Sequence, residues 1–157
     1  MKDVDLTALV LTPDQQAKML AEAQAAHPLE CCGLLVGRVQ DGEARVRDVL
    51  PAANVADAPE RAFEIDPRTL IQAHRNARER GEAILGWYHS HPSGVAVPSA
   101  CDAERAAENG KVWIIMAQAD MAAYVAVEQG HVAGRFRPLP LRVISPVKSE
   151  EAGDGNG

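Results

Sequence analysis

Apolar and polar positions along this chain alternate between two periods, and the places where the period changes mark out its elements. Residues 8–11 form a short apolar run that reads as a strand. Thr12-Pro13-Asp14-Gln15 follows as a helix start, with a capping threonine, a proline at the first helical position and a glutamine three residues after the cap. That helix is expected to run to about Ala26, because His27 precedes Pro28 and a residue before proline avoids helical angles. Strands are predicted near 31–38 and 43–50, joined at Gln40-Asp41-Gly42, and residues 51–60 read as a loop carrying Pro51, Asn54, Asp57 and Pro59. Residues 61–65 read as a short alternating strand, and Asp66-Pro67 opens a second helix that ends near Gly81 with Leu70, Ala73 and Ala77 on one face. The apolar run at 83–88 reads as a buried strand. A third helix is expected from Ser99 through Glu108 to Asn109-Gly110, then strands near 112–117, 121–128 and 131–137 with a turn at Gln129-Gly130.

This alternation predicts an α/β fold, one domain over residues 1–146 with a mixed, largely antiparallel, twisted sheet flanked by helices. The polar, glycine-bearing residues 147–157 are expected to be a disordered tail. No internal repeat is visible.

The end of the 83–88 strand carries the candidate chemistry. His89 and His91 are separated by one residue, so on extended backbone both imidazoles point the same way and can hold one ion. Eleven positions beyond His91, after a stretch turned by Pro92, Gly94 and Pro98, Asp102 can return a carboxylate to the pair. Two histidines and one carboxylate, with no fourth protein ligand in view, have the composition of a catalytic zinc site that keeps a position open for water. Ser99 and Asp102 also have the spacing of an N-capping box, so a purely structural reading stands beside the metal reading. A cupin-type site wants a glutamate shortly after the second histidine, where the chain has Gly94-Val95-Ala96-Val97. A two-metal hydrolase wants a nearby Asp-His pair, where it has Pro92 and Ser93. The other histidines carry no motif: His27 reads as a helix terminus, His74 as half-buried packing and His131 as a residue after a turn.

His89-Ser90-His91-Pro92 and Ser99-x-x-Asp102, together with Glu30 in Pro28-Leu29-Glu30-Cys31-Cys32-Gly33-Leu34-Leu35-Val36-Gly37, resemble the JAMM (MPN-plus) zinc metallopeptidase family. The resemblance covers about residues 8–145. It implies the cytidine deaminase-like fold of that family, a Zn2+ cofactor held by His89, His91 and Asp102, Glu30 as the catalytic glutamate, and Ser99 as donor to the oxyanion. Without it, Glu30 would pass for a surface residue. It further implies a ubiquitin-like or sulfur-carrier protein as partner, bound through its C-terminal Gly-Gly tail. This compact form resembles the bacterial members that remove a cysteine from such a carrier or trim its tail. A deconjugase acting on target lysines is the alternative, and a non-catalytic scaffold of the same fold is a third reading.

Composition agrees. A chain of 157 residues, 46% of them hydrophobic, can bury one real core. A net charge of -6 argues against nucleic acid or an anionic membrane as partner. Three cysteines, Cys31, Cys32 and Cys101, make neither a disulfide framework nor a paired CxxC metal site; Cys31 and Cys32 suit the start of a buried strand and Cys101 suits packing. No leader or membrane span is visible, so a soluble, cytoplasmic protein is expected. The sequence leaves the oligomeric state open.

Overall fold

The computed structural model describes residues 5–145. The expected tail lies outside the described residues. The elements run β1 (Ala8–Leu11), α1 (Pro13–Ala26), β2 (Cys32–Gln40), β3 (Glu43–Ala52), α2 (Pro67–Glu79), β4 (Ala83–Ser90), α3 (Ala100–Arg105), β5 (Val112–Ala117), β6 (Asp120–Ala126), β7 (Phe136–Leu139) and β8 (Leu141–Val143). They build one eight-stranded mixed sheet in the order β7-β6-β5-β4-β2-β3-β1-β8. Its hairpins are antiparallel; the joints β4–β5, β1–β3 and β1–β8 are parallel.

Helices lie on both faces. α1 starts on the expected box: Thr12 Oγ1 accepts from Gln15 N–H and Gln15 Oε1 accepts from Thr12 N–H. It packs Met19, Leu20 and Ala23 on a core that includes Leu35, Leu85 and Tyr88. On the opposite face α2, capped by Asp66, lays Ala73 and Ala77 against Leu34, Val36 and Ile84. Tyr88 crosses the α1 side to donate its hydroxyl to Glu22 at 2.6 Å. Its path requires Gly33, where a Cβ would sit 2.3 Å from the ring.

Three local expectations are corrected and one strand is added. Residues 61–65 make no strand, only an isolated bridge between Ile65 and Asn54; the segment is instead held by side-chain hydrogen bonds. α3 stops at Arg105, because the Arg135 guanidinium captures the Ala106 carbonyl. The strand expected at 131–137 begins only at Phe136, since Ala133 and Gly134 have positive φ and turn the chain first. A further three-residue edge strand, β8, runs parallel to β1, and nothing in its period marks it out.

Candidate active site

β4 sits between β2 and β5, and its C-terminal end opens onto the site. Cys32 pairs with His89 in the antiparallel β2–β4 ladder, and Cys31 continues it by accepting from Ser90 N–H at 3.2 Å. Carried back one more residue, this register sets Glu30 opposite His91. On the other side His91 N–H donates to the Met116 carbonyl at 2.7 Å, which fixes the backbone just past the strand end.

The period-two backbone turns both imidazoles to one face, as expected. His89 Nε2 and His91 Nε2 lie 3.1 Å apart; His89 Nε2 is 3.2 Å from Asp102 Oδ1 and His91 Nε2 is 3.1 Å from Asp102 Oδ2. Donors bound tetrahedrally to zinc at about 2.0–2.1 Å stand roughly 3.3 Å from one another. The imidazole–imidazole separation matches one edge of such a tetrahedron, each imidazole has a carboxylate oxygen of Asp102 at a similar distance, and the residues fit a divalent cation. Among the described residues, His89, His91 and Asp102 form the cluster able to hold a metal. His27, His74, His131 and the half-buried Cys101 stand outside it.

Asp102 reaches the histidines while serving the helix. Ser99 Oγ accepts from Asp102 N–H at 3.1 Å, and Ser99 N–H donates to Asp102 Oδ2 at 2.9 Å, so the capping box and the metal triangle share one carboxylate. Burial would raise this carboxyl, but hydrogen bonds from His89 and His91 hold it well below the usual carboxylate range. The Ser99 hydroxyl accepts in the cap, and among the described residues its own proton is uncommitted.

The two imidazoles are held by different forces. His89 has no exposed surface; Phe63 stacks on it at 4.3 Å between ring centres, and Trp113 meets it edge-on at 5.7 Å. Burial pulls its pKa below the ordinary value, which keeps its nitrogen lone pair free. His91 is partly open and is braced through Nδ1, 3.0 Å from the Val95 carbonyl. That hydrogen bond leaves Nε2 to face the triangle.

Glu30 is 6% exposed, not a surface residue, and its Oε1 is buried without a hydrogen-bond partner. Burial, only partly countered by the neighbouring His91, pushes its carboxyl up to about 7. It shares a 160 Å³ cavity with His91, Ser93, Ser99, Glu60 and Arg61. All five predicted site residues are thus drawn together through His91: His89 and Asp102 at the triangle, Glu30 and Ser99 along this cavity.

Asn54, Phe63 and Arg61 are additions that sequence reasoning missed. Asn54 Nδ2 donates to the carbonyls of Glu30 and Ala62, both at 3.0 Å, while its Oδ1 accepts from Ala56 and Glu64 N–H. Its one legible signal was an asparagine in a loop. Cys31 and Cys32 are buried at the start of β2, and burial pushes their thiols up to about 11 and 12. They are inert packing, as expected.

A model of the prokaryotic homologs of the JAB domain matches residues 12–129. The chain belongs to this JAMM/MPN family, in its short prokaryotic form. It is a hydrolase of the peptidase kind. Among curated relatives, a desampylase of Haloferax volcanii is 38% identical over 112 residues, covering 68% of this chain and 78% of that protein. A CysO-cysteine peptidase of Mycobacterium tuberculosis is 26% identical over 136 residues, covering 87% and 91%. The solution structure of protein DSY2949 from Desulfitobacterium hafniense superposes with a TM-score of 0.77 at 29% identity, covering 90% of this chain and 96% of that one. No helix among the described residues is long and apolar enough to cross a membrane.

Proposed function

We propose that this JAB-family chain is a zinc-dependent peptidase that hydrolyses the amide after the C-terminal Gly-Gly of a ubiquitin-like or sulfur-carrier protein. The observation that carries the reading is Glu30: a buried, unpartnered carboxyl raised to about 7 beside a three-donor triangle. When bound, the cation supplies Lewis acidity toward the carbonyl oxygen and acidifies a water. His89, His91 and Asp102 would hold it. Glu30 takes the proton from the attacking water and passes it to the departing amine, a task suited to a pKa near the working pH. Ser99 donates its free hydroxyl proton to the carbonyl oxygen as that oxygen gains charge. A metal-free scaffold role has no support here, since the donor set is whole.

The substrate class is supported by the relatives and by the small cavity, which suits a thin, extended tail better than a side-chain-rich peptide. A lysine deconjugase is the second reading, favoured by the 38% identity to the desampylase. Mass spectrometry of a carrier–cysteine adduct and a carrier–lysine isopeptide, each incubated with wild type, Glu30→Gln and wild type plus chelator, tests both. Chelator-sensitive release of cysteine is expected, and it should fail in Glu30→Gln. Release from the isopeptide alone would favour deconjugation. Inactivity of folded, zinc-loaded protein toward both would overturn the substrate assignment.

A further inference from the structure

The segment 53–65 crosses the mouth of the site and is braced to it. Besides the four hydrogen bonds of Asn54, Glu30 N–H donates to the Pro59 carbonyl at 2.8 Å and Val55 N–H to the Glu64 carbonyl at 2.8 Å. The tip is closed by Arg61 N–H on the Ala58 carbonyl at 3.1 Å. The backbone of Glu30 is therefore clamped between Asn54 and Pro59, and the same brace sets the exposed residues Glu60 and Arg61 at the rim of the cavity lined by Glu30, His91 and Ser99. The arginine nearby on α3, Arg105, is committed to the Phe63 carbonyl at 3.2 Å. Arg61 and Glu60 are in no ion pair or side-chain hydrogen bond among the described residues, with each other or with anything else.

Arg61 is exposed at the rim of this open cavity, and an unpaired guanidinium there can receive a carboxylate, because its fork of donors matches the two oxygens. The two candidate leaving groups differ on this point. A single C-terminal residue carries its free carboxylate one carbon away from the scissile nitrogen, within the same cavity. A lysine isopeptide offers only its alkyl stem there. We infer that Arg61 binds the free α-carboxylate of the leaving residue, making the site selective for removal of one C-terminal amino acid over cleavage of an isopeptide. Glu60 beside it disfavours a second carboxylate on the leaving residue. The selected leaving residue accordingly has no acidic side chain. This rests on the peptidase reading above and assigns its leaving group.

The test compares kcat/KM on one carrier ending in Gly-Gly-Cys as the free acid, the same carrier as the C-terminal carboxamide, and a Gly-Gly-Asp free acid. Wild type is expected to prefer the acid to the carboxamide by about 10- to 100-fold, the worth of a charge-assisted pair. Arg61→Ala should bring that ratio to about one, and Arg61→Lys should keep part of it. The aspartate adduct should be poor and should improve in Glu60→Gln. Equal use of acid and carboxamide by wild type, or a ratio unmoved by Arg61→Ala, would overturn the carboxylate site while leaving the hydrolase intact. If no adduct is cleaved by folded, zinc-loaded protein, the peptidase reading fails and the inference with it.

Discussion

His89 and His91 stand two residues apart on one face of one strand, yet they live in different media. His89 is enclosed by Phe63 and Trp113, and its Nδ1 is buried without a partner. His91 sits at the open edge, with a carbonyl behind it and Glu30, Ser99 and Arg61 along the cavity in front. Aromatic packing holds the first, while hydrogen bonding holds the second. The difference shows how a small domain builds a site that is rigid at the back, where a donor must not move, and polar at the front, where protons must.

The largest test of this contrast is removal of each imidazole. His89→Ala and His91→Ala should both lose the bound metal and all turnover, as read by metal analysis and rate. In chelator, their stabilities should part. His89→Ala empties a packed position and is expected to cost on the order of 2–3 kcal/mol, whereas His91→Ala should cost under about 1 kcal/mol. Equal losses in denaturant titrations would show that the two positions do not differ as described.

Glu30 extends the contrast to the front wall. Glu30→Gln should cut turnover by about 10²- to 10⁴-fold with metal retained. Its effect on stability has the opposite sign. The folded carboxyl titrates near 7 and the unfolded one near 4.5, so between those values the folded state keeps a proton that the unfolded chain has released. The native state is therefore penalised as pH rises through that window, fully above 7 and not at all below 4.5. In chelator, the variant should be more stable than wild type at pH 8 by up to about 3 kcal/mol, and the gap should shrink toward pH 5. A gap independent of pH would show that the carboxyl is not held in its neutral form.

Ser99 does two jobs that can be measured apart. Ser99→Ala should raise the barrier by roughly 2–4 kcal/mol through loss of the oxyanion donor. Loss of the cap should cost about 1 kcal/mol in a thermal melt. A melt shift with unchanged turnover per folded molecule would reduce Ser99 to a cap.

What could be read from the chain alone follows sequence distance. His89-Ser90-His91 and Ser99-x-x-Asp102 are local patterns, one of strand period and one of helix capping, and both give their geometry directly. The helix starts at Thr12 and Asp66 were legible for the same reason. Glu30 is different: its burial comes from the β2–β4 register, whose Cys31–Ser90 bond spans 59 residues, and only the family resemblance pointed to it. Phe63 and Asn54 matter through partners that no spacing reveals, namely a ring from β4 and the backbone of Glu30. The end of α3 was misplaced because Arg135, far along the chain, takes the Ala106 carbonyl.

The smallest effect tests the back wall most directly. Metal-binding histidines usually donate their second nitrogen to an acceptor, and His91 follows that rule with Val95. His89 does not, so its ring plane has to be set by what stacks on it. Phe63→Leu keeps an apolar side chain against the imidazole but removes the stacked face, worth about 0.5–1.5 kcal/mol for a ring pair. Zinc affinity in a competition titration should weaken by about three- to tenfold, and the Glu30-dependent limb of the pH–rate profile should stay in place, since the front wall is untouched. Unchanged affinity would mean that the β2 and β5 backbones alone orient His89. A shifted pH limb would mean that the two walls are coupled and that the division between them is false.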